Sequence, residues 1–455
     1  MSDQADGLRR TAELIADFRR TVADRPVAPA VDPAALRAAL GGPLPDEGAD
    51  PAAVIDELVD VVEPALIATA GPRYFGFVVG GSLDAATQAD MLATGWDQMA
   101  FNAVSSPAAA AAEDVVADWI RDLLGLPADA SFGITTGAQG ANTVALAAAR
   151  HRVLADAGWD VEADGLAGAP PVRVLAGEER HATIDRSLRL LGMGANALEP
   201  VAVDGNGAMN PSALAAALER DGDRPTIVCA QAGNVNTGAC DDLAATTAHA
   251  SDHGAWVHVD GAFGLWAAAS PAKRHLVEGT ERAQSWAVDG HKWLNVPYDA
   301  GFVLCADRDA HAASMAYTAS YLVGTEAGSW AVESSRRARG FASWAALREL
   351  GRNGVAELVD RCCALAERFA GRLREIDGVE IGNEVMLNQV LARFGTDERT
   401  DRLIAAAQAD GTFWAGGTTW HGRRYMRISV SNWSTTEADV DRSVGAIERL
   451  LSELA

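Results

Sequence analysis

Between about Gly71 and Leu304 the chain alternates short apolar runs with helical stretches, and this alternation restricts its fold more than any other feature. "SFGITT" leads into "GANTVALAAARHRVLADAG", "VRVLAG" into "HATIDRSLRLLG", and "TIVCAQ" into "DDLAATTAHASDHG"; "AWVHVD", "SWAVDG" and "AGFVLC" follow. Runs of this length, rich in β-branched residues and bounded by Gly, Asp and Thr, read as buried strands. Strands separated by helices imply right-handed crossovers and a mostly parallel sheet. In such sheets ligands collect outside the carboxyl ends of the strands, so the residues just after each apolar run are the first to inspect.

The rest of the 455 residues divides around this block. Residues 1–65 hold helical stretches joined by the Pro/Gly-rich "RPVAPAVDPAALRAALGGPLPDEGADP" and read as a helical N-terminal arm. Residues 66–330 form the large α/β domain. Residues 331–455 begin with a long helical region and continue as a smaller α+β domain. No apolar run approaches the ~20 residues a membrane helix needs, and the polar start "MSDQADGLRR" suggests a cytoplasmic protein. Cys229, Cys240, Cys305, Cys362 and Cys363 follow no metal or disulfide spacing and read as reduced fillers. A formal charge of -24 argues against nucleic acid or an anionic membrane as partner, since both call for concentrated Lys and Arg.

Four strand ends carry chemistry. After "SFGITT" the chain turns through Thr136, Gly137, Ala138 and Gln139 directly into a helix, a turn where backbone N–H groups can meet a phosphate; tight turns without ligands are as common. Asp260 ends "AWVHVD" and reads alone as a helix cap. His181 follows "VRVLAG", where a lone His is more often a cap or packed residue. Lys292, in "SWAVDGHKWLNVPYDAGFVL", is either a solvated turn residue or a partly buried amine with a task. Together they meet one need, that of pyridoxal 5'-phosphate: a phosphate cradle, an imidazole on the ring face, a carboxylate at the ring nitrogen and a lysine for the aldehyde. A nucleotide-binding fold is disfavoured, because "GITTGAQGAN" lacks the spaced glycine fingerprint.

The segments "HVDGAFG", "DGHKWLNVPYDAG", "TTGAQGANTVALAAAR" and "RHATIDRSLRLLGMG" resemble the group II pyridoxal-phosphate-dependent amino-acid decarboxylases, and the resemblance runs from "GPRYFGFVVGG" to "SRRARGFASWAALRELG". It implies the aspartate-aminotransferase fold (fold type I), with a mostly parallel seven-stranded sheet between helices, and a homodimer with shared active sites. It implies further that Lys292 is the Schiff-base lysine, Asp260 the ring-nitrogen partner, Ala262 a ring contact and His181 the stacking histidine. His291 adjoins the lysine, Thr136, Gly137, Ala138 and Gln139 form the phosphate loop, and Asn234 lies near the cofactor. The activity implied is decarboxylation of an L-amino acid.

Two departures bear on that reading. Asp289 stands where some members have a phosphate-binding Asn; a carboxylate beside a phosphate is repulsive, so Asp289 is left outside the expected site. The loop after the lysine is short, with Ala327 near the family's proton-donating Tyr, and Tyr317 and Tyr321 just before it. Without that donor, a lyase, aldehyde synthase or transferase reaction on the same scaffold is the alternative, and a cofactor-binding protein without catalysis is a third, weaker reading. For the substrate side the candidates are Phe77, Val78, Trp96 and Phe101, each equally readable as core. Arg424 and Arg427 are candidates for a substrate carboxylate, with Arg427 reading rather as half of a structural ion pair.

Overall fold

The computed structural model describes residues 2–220, 224–316 and 330–454. In chain order its strands are β1 (Met99–Ala100), β2 (Ser131–Thr135), β3 (Arg173–Gly177), β4 (Leu198–Val201), β5 (Thr226–Gln231), β6 (Trp256–Asp260), β7 (Ser285–Asp289), β8 (Gly301–Cys305), β9 (Arg336–Arg337), β10 (Val379–Ile381), β11 (Gln389–Phe394), β12 (Gly416–Trp420) and β13 (Arg423–Ser429). Seven of them form the central sheet in the order β2-β8-β7-β6-β5-β3-β4. All neighbours pair in parallel except β8, which runs antiparallel to both β2 and β7. A parallel return needs a long crossover, whereas an antiparallel one needs only a loop. The stretch Gly290–Ala300, which carries Lys292, is that loop.

Every residue of β2, β5, β6, β7 and β8 is buried, as expected of strands covered on both faces. The helix Ala138–Asp156 lies across β6, β7 and β8 on a face of small residues, with Ala141, Val144, Ala145 and Ala148 buried. Its small side chains bring the helix start close to the strand ends. β4 has no clear alternation and contains Pro200, which an edge strand tolerates.

The second sheet is antiparallel in the order β10-β11-β13-β12 and is backed by helices Asp397–Asp410 and Glu437–Glu453, the latter opened by a capping box between Thr436 and Asp439. The helical region Gly340–Arg374 is two helices meeting at Gly351, whose φ of 62° is left-handed backbone that glycine adopts without strain. At the N-terminus, helices Pro33–Leu40 and Pro51–Val62 are capped by Asp32 and Asp50 and start on proline, yet neither buries a residue. Among the described residues no helix is long and apolar enough to cross a membrane.

Candidate active site

The ends of β2, β6, β7 and β8 converge on one place. After β2, Thr135 donates its Oγ1 proton to the Gly137 carbonyl at 3.0 Å, folding the turn that starts the helix Ala138–Asp156. A Cβ on Gly137 would stand 2.9 Å from His291 Cε1, and one on Gly301 would stand 2.5 Å from Gly137 Cα. The turn is thus pressed against β8 and the Lys292 loop with room for glycine alone at both positions. Thr136 is exposed at its outer side.

Asp289, at the end of β7 and only 2% exposed as a side chain, organises this turn. Its Oδ1 accepts the Ala138 N–H at 2.5 Å and its Oδ2 holds Lys292 Nζ at 2.9 Å. A carboxylate at a helix N-terminus is favoured by the oriented peptide dipoles as well as by the hydrogen bond. His291 Nε2 lies 3.5 Å from Asp289 Oδ1, its Nδ1 accepts the Ala300 N–H at 3.2 Å, and its ring stacks on Tyr298 with centroids 4.3 Å apart. Burial lowers the His291 pKa against the pull of Asp289, so the ring is neutral near pH 7.

Asp260 ends β6, buried. Its Oδ2 accepts from Asn142 Nδ2 at 3.1 Å and from Thr183 Oγ1 at 3.5 Å, and its Oδ1 accepts the Ala262 N–H at 3.3 Å. His181 caps the helix Ala182–Leu190: its Nδ1 accepts the Thr183 N–H at 3.3 Å and lies 2.9 Å from Thr183 Oγ1. Although His181 is exposed on one side, its partial burial lowers its pKa, and among the charges that reach it are those of Asp260, Lys292, Arg427 and Asp289. The cap reading of His181 and its place beside the lysine are therefore compatible.

Some expected residues face elsewhere. The Gln139 amide turns away from the loop to Ser187 Oγ at 3.0 Å, leaving its backbone at the helix start. Asn234 is spent on its own turn, donating to Glu179 O at 2.9 Å and accepting from Asn236 N at 2.8 Å. Val78 is buried, Phe101 half-buried, and Trp96 stands exposed with its ring edge-on to Phe341. Phe77, 61% exposed with φ of 53°, stacks on Trp414, which stacks in turn on Tyr74. Ala327, Tyr317 and Tyr321 lie outside the described residues.

Arg424 pairs with Asp401 at 2.7 Å. Arg427 meets no carboxylate among the described residues; its guanidinium reaches only the Val235 carbonyl, at 3.4 Å, and burial lowers its pKa. The expected structural pair at Arg427 is not formed, because no acidic residue faces it there.

Asp289 was the main omission from sequence reasoning. Its repulsion of a phosphate is offset by Lys292, three residues on, which supplies a compensating cation. Trp414 and Tyr298 carried no signal beyond being aromatic.

A lysine amine, a buried carboxylate, a neutral imidazole and a glycine-only turn at the carboxyl ends of one mostly parallel sheet define a fold type I pyridoxal-phosphate enzyme. The comparisons with known proteins agree. Residues 33–394 match the pyridoxal-dependent decarboxylase conserved domain. Tryptophan decarboxylase 1 of Oryza sativa subsp. japonica is 27% identical over 98% of this chain and 93% of its own. Phenylacetaldehyde synthase of Arabidopsis thaliana is 25% identical over 97% and 94%. The crystal structure of Oryza sativa TDC with PLP and tryptamine superposes with a TM-score of 0.93 at 26% identity, covering 100% of this chain and 98% of that one. The chain belongs to the pyridoxal-dependent decarboxylase family, and it is a pyridoxal-phosphate-dependent amino-acid decarboxylase.

Proposed function

We propose that the substrate is an aromatic L-amino acid and that Lys292, Asp260, His181 and His291 carry the chemistry. The observation behind the substrate class is an aromatic ladder beside an unpaired cation. Arg427 and Ser429 share one face of β13 by strand alternation; Ser429 Oγ donates to the Phe77 carbonyl at 2.5 Å. Gly416, the cross-strand partner of Arg427, has room for a Cβ only 3.6 Å from the Trp414 ring. By that register Arg427, with no carboxylate among the described residues, springs from the same face of the β12–β13 pair as the Trp414 ring that stacks on Phe77 and Tyr74, a setting for a carboxylate on an aromatic side chain. The tryptophan decarboxylase relative and the tryptamine-bound structure support the same class.

Bound pyridoxal phosphate supplies an electron sink for the pair released when the bond from Cα to the carboxylate breaks. Lys292 Nζ is the amine that would hold the aldehyde, and it would be the group at hand to move a proton at the substrate Cα. Asp260 holds the proton on the ring nitrogen, and its bonds from Asn142, Thr183 and Ala262 N fix the carboxylate for that contact. His181 would lie over the ring and keep water from it, while His291 would stand at the phosphate or the substrate carboxylate. Thr136, Gly137, Ala138 and the Gln139 backbone would offer the phosphate cradle, with Ala262 against the ring; Asn234, its amide already engaged by Glu179 and Asn236, would contribute no more than its backbone.

The protein acts as a homodimer with shared active sites. Supporting this, the helices Pro33–Leu40 and Pro51–Val62 bury nothing in one chain and expose Leu40, Val54 and Leu58; short helices are stable only when such a face is covered. The division into an arm (1–65), a large domain (66–330) and a small domain (331–455) belongs to the same reading. Five free cysteines fit a reducing cytoplasm.

Product analysis with tryptophan, tyrosine, phenylalanine, glutamate and 2,4-diaminobutyrate tests this function. Carbon dioxide in step with an aromatic amine is expected. Aldehyde with ammonia and peroxide would move the reaction to the aldehyde-synthase alternative that Ala327 favours, and preference for an acidic or basic substrate would refute the assignment of the ladder and Arg427.

A further inference from the structure

Behind Asp260 lies a buried polar chain that cofactor contact alone does not explain. Trp256 Nε1 lies 2.9 Å from Ser285 Oγ, which lies 3.0 Å from His258 Nδ1. His258 Nε2 lies 2.9 Å from Asn142 Oδ1. The Asn142 amide nitrogen then forks, to Asp260 Oδ2 at 3.1 Å and to Thr183 Oγ1 at 3.2 Å. Thr183 Oγ1 in turn meets His181 Nδ1 at 2.9 Å. Asn142, His258 and Ser285 are fully buried.

Donor and acceptor chemistry, followed outward from Asp260, gives the chain a direction. An ionised Asp260 requires a donor, which places the Asn142 nitrogen toward it and the oxygen toward His258. A neutral His258 then carries its proton on Nε2 and donates to Asn142 Oδ1, leaving Nδ1 to accept the Ser285 hydroxyl proton, while Ser285 Oγ accepts from the Trp256 indole. Flipping the amide would set its oxygen against a carboxylate oxygen and leave two buried acceptors facing each other. The second Asn142 proton goes to Thr183 Oγ1, whose single proton is shared between Asp260 Oδ2 at 3.5 Å and the closer His181 Nδ1 at 2.9 Å; the Thr183 backbone N–H also donates to Nδ1, so His181 keeps its proton on Nε2.

We propose that Ser285, His258, Asn142 and Thr183 form a positioning relay in which one buried neutral imidazole sets the orientation of both Asp260 and His181. The relay rests on the assignment of those two residues to the cofactor ring. His258 and Asn142 touch no reacting atom; they fix the amide whose two protons aim the carboxylate and the cap of the stacking histidine. Packing between β6 and the helix Ala138–Asp156 could be met by an apolar pair, and the relay explains why the three polar side chains of Ser285, His258 and Asn142 are buried there in one consistent proton order.

The test uses full-length protein with nitrogen-15 in its histidines, before and after loading with pyridoxal phosphate, with His258 assigned through His258→Gln. His258 should show a proton on Nε2 and none on Nδ1, unchanged from about pH 5 to about pH 8; an Nδ1–H tautomer would overturn the relay. Ser285→Ala and Asn142→Ala should each weaken pyridoxal phosphate binding about tenfold, and Ser285→Ala should add less than about twofold in the Asn142→Ala background, because both act through one path. Fully multiplicative losses would overturn it. Asn142→Asp, which keeps the volume but lacks the two donors, covers the case where the alanine variant does not fold; it should shift the His181 ring-nitrogen signals, and unmoved signals would contradict the link through Thr183. The histidine tautomers are read without cofactor, so a wild type that shows them yet releases no carbon dioxide supports the relay while refuting the proposed reaction.

Discussion

Replacing Asp289 by asparagine should move two properties in opposite directions. The side chain is 2% exposed, and its Oδ2 lies 2.9 Å from Lys292 Nζ. At an effective dielectric constant of ~20 that pair attracts by about 6 kcal/mol before desolvation is counted. Lys292 keeps 22% of its side chain in contact with water and can turn outward, so about 2 kcal/mol of net stability is lost with the pair. The bond from Ala138 N to Oδ1 changes from charge-assisted to neutral, which removes about 1 kcal/mol more. The cofactor-free protein should therefore lose about 3 kcal/mol in urea unfolding. Inorganic phosphate and pyridoxal phosphate should instead bind about tenfold tighter, because a carboxylate no longer faces the incoming dianion and Lys292 is left without its counter-charge. Absorbance titration reads the second effect. Unchanged stability without cofactor, or weaker phosphate binding, would refute the placing of Asp289 between the lysine and the phosphate turn.

Three further outcomes are expected. Gly301→Ala sets a Cβ 2.5 Å from Gly137 Cα and 2.6 Å from its carbonyl carbon, backbone that cannot yield; the phosphate turn should shift and cofactor affinity fall at least about tenfold, with circular dichroism unchanged, for a strain of about 1–3 kcal/mol. Arg427→Met should raise KM for the amino acid about a hundredfold while leaving inhibition by the product amine, which lacks the carboxylate, within about twofold; equal losses for both would show that Arg427 only supports the fold. Acidification should destabilise the protein. Burial pushes His258 and His311 down to about 4, so as pH falls the unfolded chain takes two protons that the native state refuses, whereas buried Asp241, pushed up to about 6, takes one in the native state first. His181 and His291, also lowered by burial, add to the same side, so the net is at least one proton and costs about 1.4 kcal/mol or more per pH unit between about pH 6 and about pH 4, and a rise in unfolding midpoint over that window would contradict the burial of His258 and His311.

The strands that build the site are legible because each is buried on both faces and writes a continuous apolar run; β6 and β7 end visibly at Asp260 and Asp289. Leu198–Val201 is not legible, since an edge strand with Pro200 needs no such run. The antiparallel sense of β8 could have been suspected from the lack of a helix between Gly290 and Ala300. Lys292, Asp260, His181 and Gly137 are recognisable as a set because their chemistry requires residue types at strand ends. What the pattern cannot convey is direction. Nothing local turns the Gln139 amide toward Ser187, pairs Arg424 with Asp401 or leaves Arg427 without an acid. Those outcomes depend on partners brought from distant parts of the chain, as does the path from Ser285 to Asn142.

The most direct test of the central claim is borohydride reduction of the enzyme loaded with pyridoxal phosphate, followed by peptide mass mapping. The account predicts one reduced phosphopyridoxyl group, on Lys292, with loss of the visible absorbance band and of carbon dioxide release. A label on any other lysine, or a Lys292→Ala variant that still releases carbon dioxide at the wild-type rate, would contradict it.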